Sequence, residues 1–330
     1  MSRKTNFRKN TINALHSQGY INWPMNNGLV IKSTGSWYIV SDKDCKIHCR
    51  IKGIFRTQDI VTTSPVTVGD RVDYELNEDG TGLITRIETR KNYIIRRSPH
   101  FNKEAQLLAA NIDRVFLMVS LKHPASPFEF IDRFLVTAEA YHIESIILIN
   151  KIDLLDTADS LKLKEFIKSY GSAGYKCIEL SVTQNLNVEK VYAAMKGRLS
   201  LLAGNSGVGK STFINAVAPS LNLKTDTISD FHQTGKHSTT FSEIFQLDKD
   251  TYVIDSPGIK GFGLIDMKKE EIGLYFPEIF KVSKDCKFYN CTHLHEPGCA
   301  VAEAVKNNLI GSSRYKSYCN IVTEKESKYR

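Results

Sequence analysis

The chain has 330 residues, of which 42% are hydrophobic and 24% charged, with a net charge of +8 and a pI of about 9.0. This length predicts two or three domains, and this composition is typical of a soluble globular protein. The sequence has no run of about 18 apolar residues to span a membrane, and the basic stretch 1–10 lacks the apolar segment of a secretory signal, so we expect a cytoplasmic protein.

Short strands separated by turns are predicted between about residues 28 and 88. The turn Asn77-Glu78-Asp79-Gly80 between two of them is a good hairpin signal. Such spacing indicates a small barrel or sandwich. The predicted strands are Leu29–Lys32, Trp37–Val40, Lys46–Ile54, Val72–Leu76 and Gly82–Ile87.

Strands and helices alternate after about residue 105, which predicts an α/β domain with a parallel sheet. Ser145–Ile149 is apolar at every position after Ser145, as expected for a strand buried on both faces. The predicted strands are Arg114–Ser120, Ser145–Ile149, Lys176–Leu180, Leu199–Ala203 and Thr251–Ile254, and the predicted helices are Phe128–Tyr141, Leu161–Tyr170, Val188–Lys196 and Thr212–Val217.

The first site motif, Asn150-Lys151-Ile152-Asp153, follows the predicted strand Ser145–Ile149. The Asp153 carboxylate can accept two hydrogen bonds from the guanine N1–H and N2 amino group, a pair that adenine cannot supply. Lys151 would pack over the plane of the base. Because ligands of open α/β sheets bind at the carboxyl ends of strands, this position favours guanine recognition over a plain polar turn.

A phosphate-binding P-loop is predicted between the strand Leu199–Ala203 and the helix Thr212–Val217, where the chain fits G-x-x-x-x-G-K-[ST]. Glycines let backbone N–H groups wrap phosphates, Lys210 places a positive charge on the β- and γ-phosphates, and Ser211 can ligate Mg²⁺. A Gly-rich turn before a helix is the alternative interpretation. The predicted phosphate-site residues are Gly204, Asn205, Ser206, Gly207, Val208, Gly209, Lys210, Ser211 and Thr212.

Two further segments have the character of GTPase switches. Asp255-Ser256-Pro257-Gly258 follows a predicted strand, so Gly258 would offer its N–H to the γ-phosphate and Asp255 would hold Mg²⁺ through water. The polar loop 235–240 lies where a switch I threonine belongs, and we expect Thr239 to ligate Mg²⁺, with Thr240 as the alternate. A plain surface loop is the other interpretation of this stretch.

The order of the motifs is permuted. An ordinary Ras-like GTPase runs from P-loop through switch I and D-x-x-G to N-K-x-D and a serine loop. Here the N-K-x-D motif and Ser181 come first. Ser181 ends the predicted strand Lys176–Leu180 and would support the guanine through its backbone N–H. Circular permutation is sterically reasonable because the termini of compact domains often lie close together.

The residue after Gly258 is Ile259, where many GTPases carry a water-orienting glutamine. An isoleucine cannot polarise water, so we expect either slow intrinsic hydrolysis or another catalytic residue. His237 is the candidate because a neutral imidazole can orient a water. A loop histidine that is simply exposed is the alternative.

Three of the seven cysteines lie close to one another in Cys286-x4-Cys291-x-His293-x5-Cys299. Three thiolates and one imidazole suit a closed, tetrahedral structural Zn²⁺ site. His295 is the alternative fourth ligand. A site of this kind contributes on the order of 10 kcal/mol, enough to fold a small subdomain.

The permuted motif order, the loop Gly235-Lys236-His237-Ser238-Thr239-Thr240 and the Cys/His cluster together resemble the RsgA (YjeQ) family of bacterial GTPases that depend on the small ribosomal subunit. The resemblance covers almost the whole chain. It implies an OB-like β-barrel with a basic N-terminal tail in residues 1–100, a circularly permuted α/β P-loop GTPase core with a mostly parallel sheet in 101–280, and a small helical zinc-binding domain in 281–330.

The resemblance also implies a function and several residue roles. It implies a late maturation factor that binds the small ribosomal subunit and its rRNA, and that hydrolyses GTP to GDP and phosphate with stimulation by the subunit. It suggests His237 as the catalytic histidine and His293 as the zinc ligand, whereas Ser238 departs mildly from the family's usual threonine. The basic excess agrees with an RNA partner. We expect a monomer with one structural Zn²⁺, Mg²⁺ bound with GTP, and no membrane partner.

Three other classes of protein are alternatives. An assembly GTPase of the large subunit is disfavoured by the N-terminal barrel and the zinc cluster. A small-metabolite kinase is disfavoured by the guanine selectivity expected of Asp153. An RNA-binding protein with an inactive nucleotide site is disfavoured by the intact Lys210, Ser211 and Asp255.

Overall fold

The computed structural model describes residues 26–43, 45–52, 65–97, 105–223, 243–255 and 267–324. The first of these ranges form a five-stranded barrel of β1 (Asn26–Ser33), β2 (Tyr38–Asp42), β3 (Cys45–Ile51), β4 (Arg71–Leu76) and β5 (Gly82–Ile87). The strand order is β1-β2-β3-β5-β4, and β4 pairs back with β1 to close the barrel. β3 and β5 run parallel and the other pairs antiparallel. This topology confirms the predicted OB-like barrel.

The barrel is filled by apolar side chains that alternate along its strands. Val30, Val40 and Val72 are fully buried, and Tyr38 and Tyr74 fill the remaining width. β-branched and aromatic residues fit the pleated, half-buried surface of a strand, which explains why these segments form a barrel.

A hairpin of β6 (Tyr93–Arg97) and β7 (Ala105–Ala110) connects the barrel to the next domain. The Ala110 N–H donates to the Val68 carbonyl across 2.9 Å. The guanidinium of Arg90 makes two hydrogen bonds, of 2.7 and 2.8 Å, to the fully buried carboxylate of Asp70. The first contact holds the hairpin, and the second holds the segment just before it, against the loop that precedes β4.

A six-stranded sheet follows in the order β10-β9-β8-β11-β13-β12. The first five of these are parallel, and only β12 runs antiparallel, to β13. This arrangement confirms the mostly parallel α/β core. The strands are β8 (Arg114–Val119), β9 (Ser145–Ile149), β10 (Lys176–Glu179), β11 (Leu199–Ala203), β12 (Glu243–Gln246) and β13 (Tyr252–Asp255).

Helices cover both faces of this sheet. Helices α1 (Phe128–Ala140) and α2 (Thr157–Ser172) pack on one face, and α3 (Val188–Met195) and α4 (Lys210–Val217) on the other. Along β8, Val115, Leu117 and Val119 point to the first face, and Phe116 and Met118 to the second. Because the side chains on both faces of the sheet are buried, the strands are mostly apolar in sequence.

The sheet of the α/β core is continuous with the barrel. Lys32 at the end of β1 pairs antiparallel with Glu243 of β12, and their side chains form an ion pair of 3.0 Å. Glu243 also pairs with Asp255 of β13, and Asp255 with Leu202 of β11. A single row of residues therefore runs from the barrel to the strand that precedes the P-loop.

The C-terminal part is helical, as predicted, with a 3₁₀ segment (Lys269–Tyr275) followed by α5 (Pro277–Ser283), α6 (Ala300–Lys306) and α7 (Ser312–Thr323). Its core reaches α1 through Val136. None of the helices in the described ranges has the length and apolar character that crossing a membrane requires.

A fully buried arginine joins this helical part to the α/β core. Arg314 of α7 contacts Asp132 of α1 at 2.7 Å and makes two hydrogen bonds, of 2.8 and 3.0 Å, to Glu278 of α5. Tyr170 of α2 donates to the same Asp132 oxygen at 2.9 Å. Burial is the main cause of a raised pKa at Asp132, and the charge of Arg314 opposes it.

Candidate nucleotide and metal sites

The predicted nucleotide motifs meet at one edge of the parallel sheet. Asn150-Lys151-Ile152-Asp153 follows β9, Ser181 follows β10, and the P-loop follows β11. Since β9, β10 and β11 belong to the same parallel array, their carboxyl ends open onto a shared cleft.

Asn150 links the first of these motifs to the other two. Its side chain is buried, and its Nδ2 donates to the Val208 carbonyl of the P-loop at 2.8 Å. Its Oδ1 accepts from the Val182 N–H at 3.3 Å. A single amide therefore holds three loops in register, although the chain visits the P-loop last.

The Asp153 carboxylate accepts a hydrogen bond from the Ser181 hydroxyl, and Thr183 lies 3.4 Å from its second oxygen. The N–H of Ser181 donates to the Leu186 carbonyl at 3.3 Å. In this structure the Ser181 N–H takes part in a bridge with Leu186, and its contact with the base stays a prediction. The Ser181 hydroxyl contacts Asp153 directly.

The P-loop packs against strand β8 on one side and against the N-K-x-D turn on another. A Cβ atom at Gly204 would lie 2.3 Å from the Met118 carbonyl, and one at Gly209 would lie 2.3 Å from Asn150 Nδ2. Both glycines have positive φ, of 146° and 107°. Only glycine fits these two positions, so the motif's outer glycines are required by packing as well as by conformation.

Lys210 is the first residue of α4, and its ammonium turns back into the loop. Its Nζ lies 2.7 Å from the Gly204 carbonyl and 3.1 Å from the Asn205 carbonyl. Ser211 and Thr212 follow it in the first turn of the helix. Val208 is buried, and Ser206 and Gly207 are exposed at the tip of the loop.

Lys151 has a left-handed backbone conformation with a φ of 66°. Its Nζ donates to the carbonyl of His123, in the loop of residues 120–127 that joins β8 to α1. Burial lowers the pKa of the Lys151 ammonium, and the charge of Asp153 opposes this shift. Ile152 begins the 3₁₀ turn that presents Asp153.

The two switch segments are described only in part. Asp255 ends β13 and pairs with Leu202, two residues before Gly204, so its backbone lies beside the start of the P-loop. The predicted residues His237, Thr239 and Gly258 lie outside the described residues.

The four predicted metal ligands converge in the C-terminal part. The ligand atoms of Cys286, Cys291, His293 and Cys299 all lie within 4.8 Å of one another. His293 Nδ1 lies 3.6 Å from the Sγ atoms of Cys286 and of Cys299. Tetrahedral Zn²⁺ with thiolate and imidazole ligands places its donor atoms roughly 3.5–3.8 Å apart. The donor set and its spacing therefore fit a metal ion, and this group includes His293 and not His295.

Hydrogen bonds fix the loop that carries the metal ligands. Tyr315 and Tyr318 of α7 donate to the carbonyls of His293 and Thr292 at 2.6 and 2.7 Å. Glu296 accepts from the Thr292 N–H and hydroxyl at 2.7 and 2.6 Å. Burial raises the pKa of Glu296, but these hydrogen bonds outweigh it and lower the value to about 2. The ligand loop is therefore preorganised by groups outside the metal site.

A P-loop, a guanine-type N-K-x-D turn and a permuted strand order define a circularly permuted P-loop GTPase. Comparison with known families agrees: the RsgA GTPase family matches residues 87–265, and the RsgA N-terminal domain family matches residues 27–84. The chain therefore belongs to the RsgA GTPase family and is a GTP hydrolase.

Full-length relatives support this assignment. The chain is 52% identical over 305 residues to small ribosomal subunit biogenesis GTPase RsgA 2 of Bacteroides thetaiotaomicron, covering 92% of this chain and 98% of that protein. It is 50% identical over 307 residues to the RsgA of Christiangramia forsetii, with the same coverage.

Two solved structures share the fold. The crystal structure of YjeQ from Thermotoga maritima superposes with a TM-score of 0.73 at 34% identity, covering 91% of this chain and 99% of that one. YloQ, a circularly permuted GTPase, gives a TM-score of 0.69 at 29% identity, covering 93% and 96%.

The sequence does not single out the β8–α1 loop (residues 120–127), which forms one wall of the cleft. A Cβ atom at Gly207 would lie 3.4 Å from Pro124 Cδ, so this loop lies directly against the P-loop. A signal was available, because the loop follows a buried parallel strand at its carboxyl end, where ligands of α/β sheets bind.

Proposed function

We propose that this protein hydrolyses GTP during the biogenesis of the small ribosomal subunit, acting late in its maturation with stimulation by the subunit. The carrying observation is the bridge from Asn150 to Val208 and Val182, which assembles a guanine-type motif and a P-loop around one cleft. The names of the relatives, small ribosomal subunit biogenesis GTPase RsgA, support the biological role.

In this proposal the cleft binds guanine at one end and phosphates at the other. Asp153 selects guanine, Asn150 and Ser181 hold the guanine-binding motif in position, and Lys151 and Ile152 flank the base. The loop from Gly204 to Thr212 wraps the phosphates, and Lys210 neutralises their charge. Ser211 and Thr239 ligate Mg²⁺, Asp255 holds it through water, and Gly258 contacts the γ-phosphate.

His237 is proposed as the catalytic residue that orients the attacking water, since the residue after Gly258 is Ile259. We expect His237→Ala to reduce turnover severely and to leave nucleotide affinity near the wild-type value. Full subunit-stimulated turnover by this variant would reject the role.

Zn²⁺ is the metal proposed for Cys286, Cys291, His293 and Cys299, because three thiolates and an imidazole select zinc over Mg²⁺ or Ca²⁺. Its role is structural, since four protein ligands leave no open coordination position. We keep the division into a barrel domain (1–100), a GTPase domain (101–280) and a zinc domain (281–330) as part of the proposal.

The barrel offers a surface for the rRNA of the subunit. An open cavity of about 620 Å³ lies on its outside, and the guanidinium of Arg50 lies 4.2 Å from the ring centre of Trp37 at its edge. Basic and aromatic side chains of this kind suit an RNA strand, and OB barrels use the same strands and loops for nucleic acids. The cavity is lined by Lys32, Thr34, Trp37, Ile39, Lys46, His48, Asp79, Gly80 and Thr81.

The decisive experiment measures GTP hydrolysis by the full chain alone, with purified small ribosomal subunits, and with large subunits as the matched control. We expect turnover to rise with small subunits and to stay at the basal rate with large ones. Absence of stimulation by small subunits would overturn the ribosomal role and leave the GTPase assignment in place. We expect the active species to be a cytoplasmic monomer.

A further inference from the structure

Two lysines connect the β8–α1 loop (residues 120–127) with the N-K-x-D turn and the start of helix α2, one from each side. Lys151 reaches from the turn to the carbonyl of His123 in the loop. In the opposite direction, Lys122 reaches from the loop to the carboxylates of Asp156, at 2.8 Å, and Asp159. The loop and the segment from the turn to helix α2 are therefore joined at two points, each by a lysine side chain.

Hydrogen bonds hold both ends of this arrangement. The Ser126 N–H donates to the Ser120 carbonyl at 2.8 Å, and the Ser120 N–H donates to the Ser126 hydroxyl at 3.1 Å, which closes the base of the loop. Asp156 caps helix α2 through a hydrogen bond of 3.1 Å from the Asp159 N–H. The Asp159 side chain is almost fully buried. The lysines therefore connect a loop and a helix end that each have their own internal hydrogen bonds.

The loop also contacts both the P-loop and the N-K-x-D turn. Pro124 lies against Gly207 of the P-loop, as described above, and the loop holds the ammonium of Lys151 by the His123 carbonyl. The position of the loop therefore sets where the Lys151 ammonium is held.

We propose that Lys122 is a positioning residue for guanine nucleotide, which acts by clamping the β8–α1 loop to Asp156 and Asp159 and so holding Lys151 in place over the base. The inference rests on the proposed function, because it names a further determinant of the same site. Lys122 itself contacts no nucleotide. It slows nucleotide release by keeping one wall of the cleft closed.

The test measures dissociation of a fluorescent GDP analogue from the full chain for the wild type and for Lys122→Met, Lys122→Arg and Lys162→Met. Lys162 is the matched control, because it pairs with the same Asp159 at 3.2 Å but is exposed on helix α2 and does not reach the loop. We expect Lys122→Met to release GDP roughly threefold to fivefold faster. Lys122→Arg should restore slow release, and Lys162→Met should stay within about twofold of the wild type.

A second comparison covers the case in which Lys122→Met is unstable. Asp159→Asn keeps a hydrogen-bond acceptor and removes the charge, so it should also speed GDP release, and combining it with Lys122→Met should add less than the sum of the two effects. Release at the wild-type rate from both single variants, or equal losses for Lys122→Met and Lys162→Met, would overturn the proposal. A wild-type chain that binds no guanine nucleotide would instead reject the proposed function.

Discussion

The Asn150 side-chain amide and the Val208 main-chain carbonyl are 58 positions apart in sequence and 2.8 Å apart in space. The contact is buried, and the same side chain also accepts from Val182. A hydrogen bond of this kind is expensive to remove because its partners then lie buried without a substitute. The geometry of the P-loop therefore depends on a residue of a motif that precedes it in the chain.

Asn150→Ala should weaken binding of both GDP and GTP. Loss of two buried hydrogen bonds costs roughly 1–3 kcal/mol, which corresponds to an affinity lower by about five- to 150-fold. Asn150→Asp keeps the acceptor for Val182 but sets a carboxylate against the Val208 carbonyl, so it should be at least as harmful. Titration calorimetry checks both, and near-wild-type affinity for Asn150→Asp would show that the Val208 contact is unimportant.

Asp153→Asn should change the base preference from guanine to xanthine. An asparagine amide complements the carbonyl at C2 of xanthine, whereas it opposes the amino group of guanine. Because two charge-assisted hydrogen bonds are exchanged, we expect affinity for GTP to fall by at least about a hundredfold and xanthosine triphosphate to become the better substrate. Hydrolysis assays with both nucleotides give the answer, and a variant that still prefers GTP would contradict guanine selection by Asp153.

Removal of zinc should unfold the C-terminal helical part. Metal binding at such a site contributes on the order of 10 kcal/mol, more than a small subdomain can replace. We expect one zinc ion per chain by elemental analysis in the wild type, loss of the ion in Cys299→Ser and His293→Gln, and retention in His295→Gln.

Cys319→Ser is the control for the zinc experiment, since Cys319 lies on α7 and is not in the four-residue group. Loss of helical circular dichroism should accompany loss of zinc in Cys299→Ser. Zinc bound at full stoichiometry after His293→Gln would assign the fourth ligand to another residue.

Arg314→Met should destabilise the fold although it preserves the length of the side chain. The variant leaves the buried carboxylates of Asp132 and Glu278 without a counter-charge, which costs about 3–5 kcal/mol. Denaturant unfolding measures this loss. The control Lys306→Met removes the exposed pair with Glu303 at 3.9 Å and should change stability by less than about 0.5 kcal/mol. Equal midpoints for the two variants would show that Arg314 is not the link between the two parts.

Elements with a strong period are predictable from the sequence, and elements that depend on distant partners are not. The strands Ser145–Ile149 and Leu199–Ala203, each apolar except for one serine, are predicted with the bounds they have in the structure. The hairpin of β6 and β7 is not predicted, because neither strand alternates and its register depends on contacts with Val68 and Gly69 of the barrel.

The same distinction holds for the sites. The phosphate, guanine and metal motifs are short, and each is defined by the spacing of a few neighbouring residues. Each motif can therefore be recognised in the sequence alone. Arg314, in contrast, resembles a surface residue of a helix until Asp132, 182 positions away, is placed against it. The bridge between Ser181 and Leu186, which engages the Ser181 N–H, is likewise encoded by no local pattern.

The pairing of Lys32 with Glu243 makes the barrel an extension of the core rather than a tethered neighbour. Turning the barrel would break a rung of the backbone ladder and would pull on the strand next to Asp255. The barrel and the α/β core therefore share one hydrogen-bonded sheet, and a rotation of one against the other requires the Lys32–Glu243 pair to separate.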